Sequence, residues 1–318
     1  SLYEDVLHRD LLLAAQSVAD CVTVEPNFRR SVMERLVALY FEPLGCGTFM
    51  PLQEKVEKIF GYFKDTEALE EAAQAALAKI RDPNKRIRLL AMNALADLKF
   101  GTSDVVKGLV ETSEDSDGGV STQAILALGK LQSGLPEAEK ALLAALKSEN
   151  LWERIGAVRA LRMAKIVTSE TIAGLFDALN DENWDVYRFA AWALCEIANP
   201  GIVEGIFKTF YEQEKGRRDI ALALSSVNAF RVRERLLAAL SDSNESIRSD
   251  AALALGWTKV AEPEVVAGLL EALKDKSEVV RISTIEALEY LSTPDAVTEL
   301  LLLLNDSNKE IRRKAVAA

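Results

Sequence analysis

The chain has 318 residues, of which 49% are hydrophobic and 27% charged, and its formal net charge is −11. This length suits two or three compact domains or one repeat array. The acidic balance disfavours nucleic acid as a partner of the whole chain, because phosphate binding needs a positive surface. No apolar run reaches the roughly 18 residues of a membrane-spanning helix. The three cysteines form no C-x-x-C motif, which favours a reducing, cytoplasmic location over a disulfide framework or zinc site.

Residues 1–50 contain two predicted helices and a linker. The segment "LYEDVLHRDLLLAAQSVADC" places apolar residues from Leu7 to Val18 on one stripe, and "PNFRRSVMERLVALYF" forms a second helix. The stretch "EPLGCGTFMP" is rich in Gly and Pro and predicts a linker. We therefore interpret residues 1–50 as an irregular helical N-terminal cap and residues 51–318 as a separate periodic region.

The periodic region repeats every 30 to 33 residues, with one degenerate unit before the first clear one. If Arg248 is position 0 of its unit, position +6 is alanine in all eight units and position +7 is leucine in all seven that reach it. Position +3 is alanine in six of the eight. This self-similarity indicates a repeat protein. The zero positions are Arg88, Ser121, Arg154, Tyr187, Arg217, Arg248, Arg281 and Arg312.

Each unit has the pattern of two helices. Positions +3 and +7 share one helical face with +6 beside it, and small residues there let helices approach closely. Segments such as "EVVAGLLEALKD" follow a short turn and form a second apolar stripe. One hairpin cannot bury both faces, so it must stack on its neighbours. The prediction is an all-α, right-handed α-solenoid of eight or nine HEAT-like helical hairpins behind the N-terminal cap.

Aspartate stands six residues before position 0 in six units, and four units combine it with the arginine at position 0. We interpret these pairs as structural. The Asp would accept hydrogen bonds from helix-start amides, and the Arg would bridge to it within or between units. This structural ladder consists of Asp82, Arg88, Asp242, Arg248, Asp275, Arg281, Asp306 and Arg312.

The repeat pattern resembles the HEAT-like repeats of the phycobilisome lyase class (E/F type). The resemblance runs from about Pro51 to the end of the chain, and it is more specific for the fold than for the function. It implies a protein-interaction scaffold or, alternatively, a phycobilin lyase subunit or phycobiliprotein chaperone.

The segment "LHRDLLLAAQSVADC" is similar to the one that joins the NTPase part to the HEAT array in bacterial NACHT-type NTPases. No G-x-x-x-x-G-K-[ST] motif occurs in the chain, so the NTPase would lie elsewhere in a longer polypeptide. The resemblance implies that this repeat region is the sensor or ligand-binding array of a NACHT-type signalling ATPase.

Two central units depart from the alanine-rich pattern. The unit from Glu182 to Gln213 has seven aromatic residues, and the stretch from Glu214 to Arg235 has six basic and three acidic residues. Aromatic residues and Arg are enriched at binding hot spots, although the rings can equally fill a core with fewer alanines. We assign Arg217 to the structural ladder. The candidate partner-binding residues are Trp184, Arg188, Tyr211, Arg218, Arg231 and Arg235.

The last unit contains a first helix, "KEIRRKAVAA", without a second one. Ile311, Ala315 and Val316 therefore lack obvious cover from a following helix, and solenoid ends need a polar cap. We expect truncation, a partner at this position, or end-to-end self-association.

No residue pattern in the sequence indicates catalysis, a cofactor or a metal. His8 is the single histidine, which argues against a multi-histidine zinc site, a His-based triad or a HEAT-like metal hydroxylase. The "GCG" stretch indicates a turn, and Cys195 is predicted to be a small buried hydrophobe. We predict a non-enzymatic protein whose partner is another protein rather than a membrane. Nucleic-acid binding through the arginine-rich stretch is kept as the third alternative.

Overall fold

The computed structural model describes residues 11–19, 24–41, 58, 66–99, 101–132, 134–227, 230–292, 296–306 and 308–317. Every regular element within these ranges is a helix. None of the described helices is long and apolar enough to cross a membrane. His8, the "GCG" turn, the proposed linker before residue 51 and most of the degenerate unit's first helix lie outside the described residues.

The chain divides into two compact units, Ser1–Gly174 and Leu175–Ala318. The first contains a helix at 11–19, α1 (Pro26–Phe41), α2 (Thr66–Leu77), α3 (Lys85–Leu98), α4 (Ser103–Thr112), α5 (Gly118–Leu131), α6 (Pro136–Ala145) and α7 (Leu151–Ala164). Helix α8 (Ser169–Ala178) spans the boundary. The second contains α9 (Trp184–Glu196), α10 (Pro200–Glu212), α11 (Arg217–Ser225), α12 (Phe230–Ala239), α13 (Glu245–Trp257), α14 (Pro263–Ala272), α15 (Glu278–Leu291), α16 (Ala296–Leu302), a 3₁₀ turn (Leu303–Asn305) and α17 (Lys309–Ala317).

Successive helical hairpins stack so that first helices contact first helices and second helices contact second helices. In the first unit, α3 packs on α5 and α5 on α7, while α4 packs on α6. In the second unit, α9, α11, α13, α15 and α17 contact one another in turn, and α12 packs on α14. The predicted all-α solenoid of helical hairpins is therefore confirmed.

The alanines of the repeat form the contact between first helices. Every described alanine at position +6 is buried, as the helix-packing argument predicted. The approach is closest where position +8 is glycine. A Cβ atom on Gly129 would lie 2.4 Å from the Cα atom of Ala160, and one on Gly256 would lie 2.4 Å from the Cα atom of Ala287. At these two places the helices touch through backbone atoms.

Most first helices begin with a capping residue at position −4, two residues after the aspartate of the predicted ladder. The side chain of Asn84 accepts a hydrogen bond from the amide of Arg86, and that of Asn244 accepts one from Ser246. The Asp242 carboxylate accepts from the amide of Asn244 at 2.8 Å. The aspartate thus binds an amide at the helix start, as predicted, but the N-cap itself is the residue at −4.

The arginines of the ladder connect each unit to the next one. Arg248 donates through Nη1 to the carbonyl oxygen of Asp242 at 2.8 Å, and through Nε and Nη2 to the carboxylate of Asp275 at 2.7 and 2.9 Å. Arg281 repeats this arrangement with the carbonyl of Asp275 and the carboxylate of Asp306. Within a unit, the Arg therefore binds the backbone of its Asp, and the carboxylate that it bridges belongs to the following unit.

The two outer members of the ladder follow the same rule. Arg88 donates to the carbonyl oxygen of Asp82 at 3.0 Å, and its Nε lies 3.5 Å from the Asp115 carboxylate of the next unit. Arg312 donates to the carbonyl oxygen of Asp306 at 2.6 Å. The guanidinium groups therefore hold the turns that precede the first helices.

Helix α11 begins three residues later than the other first helices, at position 0 itself. Its first residue, Arg217, is 4% exposed and donates through Nε to the carbonyl oxygen of Phe210 at 2.9 Å. Gly216 before it has φ of 77°, a left-handed conformation that glycine adopts without strain. A Cβ atom there would lie 2.5 Å from the ring of Tyr187. The shortened repeat thus needs glycine for both backbone conformation and space.

The ends of the described chain are largely packed. Leu11, Ala15 and Val18 are buried on the predicted stripe of the 11–19 helix. In α17, Ile311 and Ala315 are buried, whereas Val316 is 75% exposed. Preceding helices therefore already cover two of the three residues that the sequence left without obvious cover.

Candidate functional site

Neighbouring second helices approach each other through glycine at their sixth residue. This glycine occurs in four second helices, and a Cβ atom on any of them would lie 2.4 to 3.0 Å from a side chain of the preceding second helix. No side chain fits there without displacing its neighbour. The glycines are Gly108, Gly174, Gly205 and Gly268, and in the last three the neighbour is the eighth residue of its helix, namely Leu143, Phe176 and Leu237.

Arg235 occupies the same sixth position in α12. Its Cζ atom lies 4.5 Å from the ring centroid of Phe207, which is the eighth residue of α10. The guanidinium also forms an ion pair with Glu204 of α10. An arginine side chain therefore packs on Phe207 at the position where the neighbouring helices α10 and α14 have glycine.

A cleft of about 550 Å³ lies beside Arg235, between the N-terminal parts of α10 and α12. Phe230 is 69% exposed at the cleft. Arg231 is also exposed, and its guanidinium makes no hydrogen bond or ion pair within the described part of the chain. The lining consists of Ala198, Asn199, Pro200, Val203, Glu204, Val227, Phe230, Arg231, Val232, Glu234 and Arg235.

The charges of the cleft are unevenly paired. The hydrogen bond from Arg235, together with its positive charge, holds the pKa of Glu204 below its usual value, and Arg231 adds to this effect. Arg233 does not line the cleft; it is buried and donates to the Glu262 carboxylate at 3.0 and 2.9 Å. Among the described residues, Arg231 is thus the guanidinium at this site that forms no ion pair, although its charge also acts on Glu204.

Tyr211 lies on α10 near the same site. Its ring centroid is 5.4 Å from that of Phe210 and 6.3 Å from that of Phe207. Burial raises the pKa of Tyr211, and the Arg235 charge partly offsets this rise. Phe207 and Phe210 are fully buried, so these rings fill the core, as the alternative interpretation of the aromatic residues expected.

Trp184 and Arg188 form a second group on the first helix α9. The Arg188 Cζ atom lies 4.2 Å from the ring centroid of Trp184 and 5.3 Å from that of Trp192. Its Nη2 donates to the Asp185 carboxylate at 2.8 Å. Trp184 is 52% exposed. This group offers an exposed aromatic surface, but its guanidinium, that of Arg188, already contacts the two rings and the Asp185 carboxylate.

Arg218 lies on α11, also a first helix. It is exposed, and its Cζ atom is 5.9 Å from the ring centroid of Trp257. Asp250 on α13 is half-buried near Arg217 and Arg218. Burial raises the pKa of Asp250 to about 6, although the two arginines act in the opposite direction.

The structure therefore distributes the six candidate residues between two helix layers. Tyr211, Arg231 and Arg235 belong to second helices, whereas Trp184, Arg188 and Arg218 belong to first helices. Sequence reasoning did not include Glu204 and Phe230. The signal that could have found them is the sixth residue of the second helices, because Arg235 stands there between two helices that have glycine, Gly205 and Gly268.

Among the described residues, no group of three or more His, Cys, Asp and Glu side chains could hold a metal ion. Cys195 is buried, and burial raises the pKa of its thiol to about 12. The thiolate is the nucleophilic form, so this cysteine behaves as the small hydrophobe that the sequence predicted.

The periodic helices and their ladder define a HEAT-repeat protein. A family model of HEAT repeats matches residues 73–162, 211–288 and 266–318, which together exceed half of the chain. The chain belongs to the HEAT-repeat family. A search of curated proteins finds no match to the chain.

Solved structures with a similar fold include two complexes, Kap95:Nup1 and Kap121p bound to Nup53p. The Kap95:Nup1 complex matches with 13% identity and a TM-score of 0.53, over 99% of this chain and 47% of that chain. Kap121p bound to Nup53p matches with 13% identity and a TM-score of 0.52, over 97% of this chain and 37% of that chain. YibA of E. coli matches with 18% identity and a TM-score of 0.43, over 93% of this chain and 97% of that chain. At these identities the likeness concerns the fold alone.

Proposed function

We propose that the chain is a non-enzymatic scaffold that binds another protein, and that the cleft between α10 and α12 is part of the binding surface. The observation that supports this most is the arginine at a position where neighbouring second helices have glycine. It accompanies a cleft with apolar walls, at whose edge Arg231 has no ion pair within the described part of the chain. HEAT-repeat solenoids commonly bind proteins over extended surfaces and are typically non-catalytic. The solved complexes Kap95:Nup1 and Kap121p with Nup53p are examples of the fold with a bound protein.

The test is affinity capture from the source cells, followed by reconstitution with the purified partner. We expect saturable binding by the wild-type chain and its loss in a variant with Arg218→Glu, Arg231→Glu and Arg235→Glu. The matched control changes three exposed arginines elsewhere, Arg30, Arg86 and Arg313, to Glu, and it should bind like the wild type. Absence of any saturable partner, or equal binding by the two triple variants, would contradict the proposal.

A more specific form of the proposal is that the repeats are the sensor array of a cytoplasmic NACHT-type signalling ATPase. The support is the segment that includes the 11–19 helix, whose sequence is similar to the joining segment of such proteins. An immunoblot of source cells tests this form. A band far above 34.9 kDa, the mass of this chain, is expected, and a band near that mass would remove the NACHT assignment while leaving the scaffold.

The alternative function is that of a phycobilin lyase subunit or phycobiliprotein chaperone. The observation that favours it is the pairing of apolar walls with Arg231 and Arg235, since a linear tetrapyrrole combines an apolar body with propionate groups. Titration of the chain with phycocyanobilin should then change the visible absorption spectrum, and Arg231→Glu should weaken the change. An unchanged spectrum would exclude a bilin-binding role for the chain alone.

A further inference from the structure

We infer that the cleft between α10 and α12 binds a linear segment of the partner, which inserts a bulky apolar side chain and places a carboxylate against Arg231. This inference rests on the proposed function and deepens it, because it names the chemistry of the partner.

The apolar part of the inference follows from the walls of the cleft. Val203 of α10 and Val232 of α12 face it from two helices, and Phe230 stands 69% exposed beside it. Burial of a Phe or Leu side chain of the partner, together with the exposed ring of Phe230, removes apolar surface from water and so favours binding. The volume of about 550 Å³ is within the usual range of ligand sites and can hold more than one side chain.

The carboxylate follows from the distribution of charge. Four charged side chains line the cleft. Glu204 and Arg235 form one ion pair, which leaves Arg231 and Glu234 on α12. Around them the segment from Glu214 to Arg235 has six basic and three acidic residues, and Glu204 and Glu262 pair with two of the basic ones, which leaves an excess of one positive charge. An Arg–carboxylate contact with a partner would be charge-assisted and stronger than a neutral hydrogen bond.

The same distribution of charge disfavours nucleic acid at this site. Affinity for a phosphate backbone grows with the number of phosphates neutralised. The cleft offers one guanidinium, that of Arg231, without an ion pair among the described residues, and it lies beside an exposed carboxylate, Glu234, in a chain of net charge −11. A protein segment with one acidic group beside an apolar residue fits this arrangement better.

The first experiment uses an array of 12-residue peptides as the probe and the labelled full-length chain as the binder. Each peptide has a central Trp, Phe or Leu, with Glu, Gln or Lys two to four residues away and small neutral residues elsewhere. We expect Glu peptides to bind about tenfold more strongly than Gln peptides, which corresponds to about 1.4 kcal/mol. Lys peptides should bind most weakly.

Charge reversal at Arg231 provides the decisive comparison. Arg231→Glu should exchange the preference, so that Lys peptides bind better than Glu peptides, whereas the control Arg86→Glu should keep the wild-type order. A variant that merely unfolds would bind neither set, and circular dichroism identifies that case. For this reason a second variant tests the cleft itself.

Arg235→Gly restores the residue that neighbouring second helices have at this position. Closer approach of α12 to Phe207 should reduce the cleft, and binding of the Glu peptides should fall at least tenfold while the helical content is kept. Wild-type binding by this variant would overturn the inference. So would equal binding of Glu and Lys peptides by the wild type, or no binding of any peptide.

These outcomes are separable from failure of the scaffold proposal. If the wild type captures a cellular protein and the triple variant loses it, but the peptides do not discriminate, the scaffold stands and the cleft assignment falls. Loss of capture in Arg218→Glu alone would then direct attention to the first helices.

Discussion

Gly129 of α5 contacts the backbone of Ala160 of α7, with no space for a side chain between them. A Cβ atom on Gly129 would lie 2.4 Å from the Ala160 Cα atom and 2.6 Å from its carbonyl oxygen. Gly256 and Ala287 repeat the relationship between α13 and α15. Glycine weakens an isolated helix by about 1 kcal/mol relative to alanine, so its presence in mid-helix is explained by the close approach of the neighbouring helix.

Gly129→Ala and Gly256→Ala should therefore destabilise the protein despite alanine's better helix propensity. Insertion of a methyl group into a filled core typically costs about 1 to 3 kcal/mol, and here the nearest atoms are backbone atoms that cannot rotate away. Urea denaturation measures the difference in the free energy of unfolding. The control is Gly201→Ala in the first turn of α10, where the new Cβ atom would meet only the Asn199 side chain at 3.4 Å. Stabilisation by Gly129→Ala would show that the helices can separate at little cost.

Asp275→Asn should destabilise the second unit by about 2 to 3 kcal/mol, because Arg248 would lose charge-assisted hydrogen bonds in a largely buried pair. One amide oxygen cannot replace both carboxylate oxygens, which accept from Arg248 and from the Ser277 amide. Thermal and urea unfolding measure the effect. The exposed pair of Lys274 and Glu271 gives the control, since Glu271→Gln should change stability little.

The same pair predicts a pH dependence. The hydrogen bonds from Arg248 hold the pKa of Asp275 below its ordinary value of 3.8. The unfolded chain therefore binds the proton more readily, and the stabilisation by Asp275 is complete above about pH 4 and is lost as the pH falls through the folded-state pKa. The stability difference between wild type and Asp275→Asn should shrink below pH 4. A difference that stays constant down to pH 2 would contradict this assignment.

Asp250 should have the opposite dependence. Burial raises its pKa from 3.8 to about 6, against the effect of Arg217 and Arg218 and with a contribution from Asp219. The folded state binds the proton more tightly, so the contribution of Asp250 to stability should decrease as the pH rises from about 4 to 6. Asp250→Asn should stabilise the protein by about 2 kcal/mol at pH 7 and have little effect below pH 4. Urea titrations at several pH values test this, and a destabilised Asn variant at pH 7 would refute it.

Lys165→Gly should stabilise the first unit. Lys165 caps α7 in the left-handed region with φ of 53°, as do Lys99 and Gln132 at the equivalent position of their repeats. A residue with a Cβ atom is strained in this conformation, whereas glycine is not. Release of the strain outweighs the greater flexibility of glycine in the unfolded chain, and the free energy of unfolding should rise by about 0.5 to 1 kcal/mol. Lys140→Gly, at an exposed mid-helix site of α6, should instead lose about 1 kcal/mol. Equal effects of the two substitutions would remove the conformational explanation.

The fold could be predicted from the sequence because the same few residues recur in every unit. The alanines at +6 and the leucines at +7 indicate where the first helix of each unit lies, which of its faces is buried and how closely the next helix packs. Eight repetitions make this pattern unambiguous. The inter-unit pairing of the ladder was harder to predict. Asp242 and Arg248 are close in sequence, but the Arg248 side chain reaches Asp275, 27 residues later, and only stacked helices bring these two together.

The candidate site was predictable only in part. Composition identified the region from Trp184 to Arg235, but it could not assign each side chain to a helix layer. Arg231 and Arg233 are two residues apart, yet one is exposed at the cleft and the other is buried against Glu262. That difference depends on which side of α12 each residue occupies, and this is set by the residue at which the helix begins. The start of α12 was hard to predict because the preceding helix, α11, begins later in its repeat than the other first helices do.

The ladder also gives the array a direction. Arg248 and Arg281 each bind the turn before their own helix and also form an ion pair with the aspartate of the following unit. These aspartates are Asp275 and Asp306 respectively. A unit therefore presents an aspartate to the preceding unit and an arginine to the following one, so the ladder contacts form in one orientation only. An additional 33-residue copy of the Arg248 unit, inserted in phase before the Arg281 unit, would supply an aspartate to the unit before it and an arginine to the unit after it, so that the ladder continues through the longer array.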